Sequence, residues 1–309
     1  MNRRDFLKTT VAASLGFGLA GKPFFHPTSF PARAVFAADG GALPDIVAVR
    51  NGEPEIMFDR GIAAMGGMGR FVKRGQTVAI KPNVSFSVRP EMGATTNPAL
   101  VNRVIRHCLE AGAAKVYVVD HTIESFRTCY AESGIGDAAR EAGAIVAQSD
   151  RDNYYVRRPG GGKILREARI HEIALGADVL VNLPILKHHG GAGMTAGIKN
   201  LMGLVWDRGF YHRNDLQQCI ADFLTFRKPD LTVIDAYRAL GRNGPRSRNI
   251  GDVRLLKSQI LSTDIVAGDA AAARLLGSAP EQFWHVPLAA GMGFGELDPG
   301  KLANRRISL

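Results

Sequence analysis

Apolar residues along the chain follow two patterns that alternate. Nearly uninterrupted apolar runs, typical of strands covered on both faces, occur at 45–50, 77–81, 115–120, 144–147, 178–183, 230–235 and 258–261. Between them, apolar residues recur at helical spacing, most clearly after Asn97 and Pro98, which together form a helix start signal. The alternation predicts an α/β fold, with a mostly parallel sheet that carries helices on both faces.

The same patterns place the helices and the limits of the domain. We expect helices at 58–68, 98–112, 133–142, 170–175, 213–226 and 264–276, and a hairpin around 159–162. The sequence contains no internal repeat and no low-complexity segment. We therefore expect one main α/β domain over residues 38–309, with its core at about 45–280, because the last residues carry only weak signals.

The first residues have the pattern of an export signal. The segment RRDFLK at 3–8 has the form of a twin-arginine signal, and a mildly apolar run follows at 9–20. This run is shorter than the roughly 20 apolar residues that a membrane span needs. Small residues allow cleavage after Ala34 or Ala37, so residues 1–37 form the predicted signal peptide. We expect export by the twin-arginine translocase, a periplasmic or otherwise extracytoplasmic location, and no permanent membrane span.

Composition and charge restrict the class of partner. The 309 residues are 46% hydrophobic and 22% charged, as in an ordinary globular protein. The formal net charge is +10, and residues 1–37 contribute five basic and one acidic side chain to it. A basic protein suits anionic ligands, nucleic acid or a membrane surface. Export argues against nucleic acid, which leaves anionic ligands, a membrane surface, or a charge that serves only solubility.

The cysteines bear on the cofactor. Cys108, Cys129 and Cys219 form no CxxC motif, which argues against a cysteine-ligated zinc site or an iron–sulfur cluster. Cys108 and Cys219 lie among apolar residues at helical spacing, so we expect them in the core. The twin-arginine route carries folded proteins, often with a cofactor already inserted. The identity of any cofactor is not given by the sequence, and a divalent metal stays an open alternative.

Polar side chains follow four predicted strands: Lys81 and Asn83, Asp120 and His121, residues 187–189, and Asp235. Ligands of open parallel sheets bind outside the carboxyl ends of the strands, so we expect these residues in one cleft. Asp120 and Asp235 are candidate bases or cation ligands, although each could instead cap a turn. Lys81 is expected to be desolvated, with a lowered pKa that suits proton transfer, or to pair with Asp120 as a structural bridge.

The stretch 178–204, DVLVNLPILKHHGGAGMTAGIKNLMGL, concentrates most of the candidate chemistry. Its glycines free the backbone to approach a ligand, and amides at a helix start favour anions. The spacing is neither that of a P-loop nor that of a dinucleotide fingerprint. The sequence therefore predicts an anion site here, with a flexible connector as the alternative. The candidate ligand-binding residues are Asn83, Asn97, Gly191, Gly193, Thr195, Lys199 and Asn200, and Lys187 is a candidate catalytic residue.

Histidines and acids supply the candidates for proton transfer and metal binding. His188 and His189 are adjacent, so in an extended segment their side chains point in opposite directions and cannot easily share a metal. One of them could act as a ligand or as an acid or base near neutral pH, and His189 is our catalytic candidate. His212 is a weaker candidate. The metal candidates are Asp120, His121, His188, His189 and Asp235.

Several of these motifs together resemble a known family. They are IKPN at 80–83, TNP at 96–98, VVD at 118–120, LPILKHHGGAGMTAGIKNLMGL at 183–204, DLTVIDA at 230–236 and RNGP at 242–245. The chain is similar over residues 45–280 to the family called domain of unknown function 362. No activity is established for this family as a whole, so the resemblance does not imply a particular reaction. Some relatives carry ferredoxin-type cysteine modules, which this chain lacks, and His188 stands where the family usually has threonine.

These features leave three functions open. The first is an exported enzyme that acts on a small anionic substrate, with or without the help of a metal. The second is a periplasmic ligand- or metal-binding protein without turnover, which would use the same residues. The third, implied only by the iron–sulfur relatives, is a redox partner. Two lysines, a glycine-rich loop and three polar strand ends are more than simple capture needs, which favours the enzyme.

Overall fold

A mixed β-sheet forms the centre of the protein, seen in a computed structural model that describes residues 42–309. Its strands are β1 (Ile46–Arg50), β2 (Thr77–Pro82), β3 (Lys115–Val118), β4 (Ile145–Val146), β7 (Val179–Leu183), β8 (Ile185–His189), β9 (Gly193–Thr195), β10 (Leu231–Leu240), β11 (Val253–Ser262) and β12 (Asn304–Ser308). Two further strands, β5 (Tyr155–Pro159) and β6 (Glu167–His171), form a separate antiparallel hairpin. This pairing confirms the hairpin predicted around 159–162.

The strand order of the main sheet is β12-β1-β11-β10-β7-β2-β3-β4, and β8 and β9 extend it beside β10. The strands from β10 to β4 run parallel, as do β1 with β12 and β8 with β10. Strand β11 is antiparallel to both of its neighbours, and β8 with β9 forms an antiparallel hairpin. The sheet is thus mostly parallel, as the uninterrupted apolar runs predict.

Helices cover both faces of the sheet, which confirms the predicted α/β fold class. They are α1 (Pro54–Ala64), α2 (Pro98–Glu110), α3 (Phe126–Glu132), α4 (Ile135–Glu141), α5 (Glu172–Gly176), α6 (Gly197–Asn200), α7 (Arg208–Arg213), α8 (Leu216–Asp222), α9 (Ile265–Leu275) and α10 (His285–Gly291). Short 3-10 helices occur at Met68–Arg70, Pro90–Met92, Asp152–Tyr154, Leu201–Leu204, Phe223–Thr225, Ile250–Asp252, Pro280–Gln282 and Pro299–Lys301.

Two apolar cores lie on opposite faces of the sheet because successive strand residues point in opposite directions. Val179 and Val181 of β7 belong to the core beneath α1, α2 and α4, whereas Leu180 belongs to the core beneath α6 to α10. Helix α9 is buried over residues 265–273, and apart from Asp269 these residues are apolar or small. Cys108 lies in the first core and Cys219 in the second, as the sequence predicts.

Some predicted boundaries are wrong for local reasons. The helix expected at 213–226 is divided, because the Asp215 side chain accepts hydrogen bonds from the amides of Gln217 and Gln218 and starts a new helix there. The segment expected as a helix at 170–175 begins as β6. The C-terminal residues, which carry only weak signals, form β12 and pair in parallel with β1.

The predicted signal peptide at 1–37 lies outside the described residues. Within residues 42–309, no helix combines the length and the apolar character that crossing a membrane requires.

Candidate functional site

A cavity of about 290 Å³ opens at the carboxyl ends of β2 and β3, beside the β8–β9 hairpin. Ligands of open α/β sheets bind at this edge, so the position is the one that the strand pattern predicts. The cavity is lined by Lys81, Asn83, Ser85, Phe86, Ile123, Lys187, His189, Thr195, Lys199, Asn200, Met202, Gly203, Arg208, Gly209, His212 and Pro245. No Asp or Glu is among these residues, so the charged side chains that line the cavity are all basic.

Lys81 is the cavity lysine with the most partners. Its Nζ lies 2.8 Å from Oδ1 of the fully buried Asp120 and donates to the Pro82 carbonyl at 2.7 Å and to Oδ1 of Asn200 at 3.0 Å. Burial lowers the pKa of Lys81, and the charge of Asp120 offsets part of that effect. Asp120 also accepts from the Val84 amide at 2.6 Å. The pair therefore joins the ends of β2 and β3 behind the cavity wall.

Buried amides form the inner wall of the cavity. Asn200 Oδ1 accepts from Nδ2 of Asn83 at 2.9 Å, and Asn200 Nδ2 donates to Oδ1 of Asn182 at 2.8 Å. Asn182 Nδ2 in turn donates to the Gly197 carbonyl at 2.9 Å, which ties β7 to α6. Sequence reasoning missed Asn182, although it is the one polar residue between Val179 and Leu183.

Lys187 is 2% exposed and is held by oxygen acceptors. Its Nζ donates to Oδ1 of Asn83 at 2.9 Å and to the Ala94 carbonyl at 2.5 Å, and it lies 5.2 Å from the centre of the Phe86 ring. Burial, with a further contribution from the positive charge of Lys199, lowers the pKa of Lys187 to about 7. The Lys187 amine can therefore gain or lose a proton near neutral pH.

Lys199 is the cavity lysine with the weakest contacts. Among residues 42–309, its Nζ has one hydrogen-bond partner, the thioether sulfur of Met202 at 3.0 Å, and a thioether is a poor acceptor. Burial, with further contributions from the positive charges of Arg208 and Lys81, lowers the pKa of Lys199 to about 7. The ammonium group thus lies in the cavity wall without an oxygen acceptor.

His189 presents a fixed donor. Its Nδ1 accepts hydrogen bonds from the amides of Gly191 and Ala192, each at 3.1 Å, so the neutral ring carries its proton on Nε2. Burial, followed by the charges of Lys199 and Lys187, lowers the pKa of His189 to about 3. The imidazole is therefore neutral at physiological pH and offers an Nε2–H group on the side of the ring away from the turn.

Arg208 lines the cavity and was missed from the sequence. It belongs to α7, which starts at the Asp207 cap, and its Nη atoms donate to the carbonyls of His121 and Thr122, each at 2.7 Å. Within residues 42–309, Arg208 forms no ion pair with a carboxylate. No local motif surrounds Arg208, so its place depends on the long-range contact with the end of β3. His212, a weaker candidate, lies one turn further and also lines the cavity.

Comparison with models of protein families shows to which family the chain belongs. Residues 78–274, more than half of the chain, match the model of the family described as domain of unknown function (DUF362). The chain belongs to this family. The match begins in β2 and ends in α9, and it includes every residue that lines the cavity. This confirms the resemblance seen in the motifs.

Individual relatives of this DUF362 chain are distant. It is 29% identical over 253 residues to the thylakoid-associated protein sll1697 of Synechocystis sp., an alignment that covers 77% of each chain. Among solved structures, the lactate racemase apoprotein from Thermoanaerobacterium thermosaccharolyticum matches with 15% identity and a TM-score of 0.41. A structural-genomics target from Thermotoga maritima matches with 11% identity and a TM-score of 0.45. The alignments cover 61% and 78% of this chain, but only 50% and 60% of those two chains.

Several predicted site residues do not line the cavity of this DUF362 member. Asp235 is fully buried in the middle of β10, which runs on to Leu240, and its carboxylate accepts from the amides of Asn97 and Tyr237. Burial raises the pKa of Asp235 to about 6. Asn97 caps α2 through its side chain. Asp120 lies behind Lys81, so of the predicted catalytic residues Lys81, Lys187 and His189 reach the cavity.

The backbone part of the predicted anion site is not supported. The amides of Gly197 and Ile198, at the start of α6, donate to the buried carboxylate of Asp269 at 2.5 and 3.0 Å. The amide of Gly191 faces His189, and neither Gly191 nor Gly193 lines the cavity. Lys187 and Thr195 lie in paired strands and not in a turn. An anion in this cavity would therefore meet side chains, chiefly those of Lys187, Lys199 and Arg208.

The metal candidates are dispersed. His121 stacks on Trp206, and the Nδ1 of His188 accepts from the Gly244 amide at 3.0 Å. His188 and His189 do point to different surroundings, as their adjacency predicts. Residues 42–309 contain no group of three His, Cys, Asp or Glu side chains arranged to hold a metal ion. The five metal candidates therefore do not form one ligand set.

Proposed function

We propose that this protein is an enzyme that acts on a small anionic substrate held in the cavity. The observation that carries the proposal is the unbalanced charge of the cavity wall. Lys187, Lys199 and Arg208 are basic groups there, and among residues 42–309 the nearby carboxylate of Asp120 is engaged by Lys81 and not by any of these three. Buried charges without a counter-ion are costly, typically several kcal/mol each, and a bound anion removes much of that cost.

The lysines favour catalysis over simple capture. A binding protein would hold its anion best with groups that stay charged, as arginine does. Lys187 and Lys199 instead have pKa values lowered to about 7, which lets each of them give up or accept a proton at neutral pH. His189 adds a neutral donor that could stabilise developing negative charge on an oxygen atom. A non-catalytic binding protein remains the second candidate, because the same groups would bind the anion.

Calorimetric titration with pyruvate and with inorganic phosphate tests the anion site. We expect the wild type to bind both anions. Lys199→Met replaces the lysine by an uncharged side chain of similar length, and it should lose about 1.5–3 kcal/mol of binding free energy, or roughly tenfold or more in affinity. Lys115→Met is the matched control: Lys115 is exposed at the amino end of β3, opposite the end where the cavity opens, so this change should leave affinity unchanged. Equal affinity in Lys199→Met and the wild type would contradict the anion site.

Turnover separates the enzyme from the binding protein. The purified protein should convert a member of a panel of 2-oxo and 2-hydroxy acids, followed by proton NMR, and Lys187→Met should lose that conversion. Binding of the same acids without any chemical change or solvent exchange of their protons would favour the binding protein.

We further propose that the protein is exported by the twin-arginine route. Support comes from residues 3–8 and the apolar run after them, which lie outside the described part of the structure. Replacing Arg3 and Arg4 together by lysine preserves the charge and should leave the full-length precursor in the cytoplasm. Fractionation that finds the variant outside the cytoplasm in normal amounts would remove this proposal.

A further inference from the structure

Three lysines reach the cavity, but their amines are not equivalent. Lys81 Nζ has a carboxylate at 2.8 Å and two oxygen acceptors. Lys187 Nζ has two oxygen acceptors and an aromatic ring beside it. Lys199 Nζ has the Met202 sulfur alone among the described residues 42–309, and at 9% it is also the most exposed of the three side chains. Lys199 is therefore the amine that can leave its contact at the lowest cost.

The backbone holds Lys199 in place while its amine stays available. Lys199 lies in the one-turn helix α6, whose first two amides donate to the buried carboxylate of Asp269. The following residue, Asn200, is fixed by hydrogen bonds to Asn83 and Asn182. A nucleophile needs this combination of a rigid support and an amine without strong partners.

We propose that Lys199 is a nucleophile that forms an imine with a 2-oxo acid bound in the cavity. The inference rests on the proposed function, because the carboxylate of the acid must be held by the basic cavity wall. A 2-oxo acid is the smallest class of compound that carries both an anionic group and an adjacent carbonyl carbon that an amine can attack. Phe86, Ile123 and Met202 line the same cavity and would contact an apolar side chain on the acid.

The neighbours of Lys199 suit both ends of such a substrate. Arg208 and Lys187 are the cations that would bind the carboxylate, and arginine binds carboxylates through paired hydrogen bonds. His189 offers Nε2–H to the carbonyl oxygen, because its Nδ1 is engaged by two backbone amides. Desolvation and neighbouring cations leave a substantial fraction of the Lys199 amine unprotonated at neutral pH, as nucleophilic lysines require.

The chemical step is balanced without an oxidant or a reductant. The lone pair of the neutral Lys199 amine attacks the carbonyl carbon, the C–N bond forms, and the carbonyl π electrons move to the oxygen. The nitrogen then loses one proton and the oxygen gains one. The resulting carbinolamine loses that oxygen as water after a second proton transfer. One solvent proton is consumed in all, and the product is a protonated imine that draws electrons from the neighbouring carbon–carbon bonds.

Reductive trapping tests the proposal on the full-length protein as expressed. Glyoxylate, pyruvate and phenylpyruvate are each incubated with the protein and cyanoborohydride, and the modified residue is located by peptide mass spectrometry. We expect one adduct per chain at Lys199 with at least one of the three acids, and no comparable labelling of the exposed Lys115. Lys199→Arg, which preserves a positive charge but cannot form an imine, should lose the adduct, whereas Lys115→Met, outside the cavity, should keep it.

The outcomes separate this inference from the proposed function. Binding of the acids with no adduct at Lys199, or with an adduct only at other lysines, overturns the imine and leaves the anion site standing. No binding and no adduct with any of the three acids overturns both. If Lys199→Arg does not fold, the position of the adduct in the wild-type protein decides the question by itself.

Discussion

The buried pair of Lys81 and Asp120 gives the sharpest stability prediction. Both side chains are at most 1% exposed, and Lys81 Nζ lies 2.8 Å from Asp120 Oδ1. Asp120→Asn conserves the shape and an oxygen that can accept from the Val84 amide, but it removes the negative charge. Removing one partner of a buried ion pair typically costs about 3–5 kcal/mol, because the other charge is left uncompensated.

The structure also sets an upper limit on this cost. Lys81 can escape the penalty by losing its proton, since the Pro82 carbonyl and Asn200 Oδ1 remain as acceptors for a neutral amine. With an unfolded pKa of about 10.4 and about 1.36 kcal/mol per pKa unit, deprotonation costs at most about 4.6 kcal/mol at pH 7. The same limit falls to about 1.9 kcal/mol at pH 9. The expected loss is therefore about 3–4.6 kcal/mol at pH 7 and below about 2 kcal/mol at pH 9.

The sign of this pH dependence follows from proton binding. In the variant, the folded-state pKa of Lys81 lies below its unfolded value, so the unfolded state binds more protons at neutral pH. The stability of the variant relative to wild type should then rise as the pH approaches about 10.4. A buried ion pair that is intact contributes close to zero net free energy, so the wild type serves as a suitable reference.

Urea unfolding followed by far-UV circular dichroism at pH 7 and pH 9 measures both values. Asp137→Asn is the matched control, because it removes the same charge from an exposed pair with Arg140 and should cost less than about 0.5 kcal/mol at either pH. A loss below about 1 kcal/mol for Asp120→Asn at pH 7, or the same loss at pH 9 as at pH 7, would refute the reasoning.

Two further predictions concern the cavity. Because the pKa values of Lys187 and Lys199 are lowered to about 7, both amines lose their positive charge as the pH rises above 7. Pyruvate should therefore bind more tightly at pH 6 than at pH 9. Equal affinities at the two pH values, measured by calorimetry, would contradict this assignment of charge. Gly203→Ala would place a Cβ 2.7 Å from Lys81 Nζ and in collision with Asp120 Oδ1, so it should cost about 1–3 kcal/mol or more by urea unfolding, whereas Gly69→Ala, with open space around its Cβ, should change stability by less than about 0.5 kcal/mol.

The two strand-end acids show why the site could be predicted only in part. The sequence places both Asp120 and Asp235 after apolar runs, and the two positions look alike. In the structure β3 ends at Val118, so Asp120 comes just beyond the strand, whereas β10 continues past Asp235 to Leu240. Residues 236–240 are too few to show a strand pattern of their own in the sequence. The strand continues through them because they pair with β11.

The glycine-rich block shows a second limit of the sequence. Its composition correctly marks the segment that carries Lys187, His189, Thr195, Lys199 and Asn200 to the cavity. It also suggests free backbone amides, which the structure shows to be engaged by Asp269 and by His189 itself. Asp269 is 72 residues away from Gly197 along the chain, and nothing local in either segment indicates the contact.

The sequence by itself determined the fold class, the edge of the sheet where the cavity opens and the lysines that surround it. These follow from local rules, because burial sets strand composition and parallel strands end at a common edge. The tertiary structure alone decided which charges are paired, which amides are occupied, and that Arg208 joins the site. Those properties depend on desolvation and on contacts between residues distant in the sequence, such as Lys81 with Asp120 and Arg208 with the carbonyl of His121.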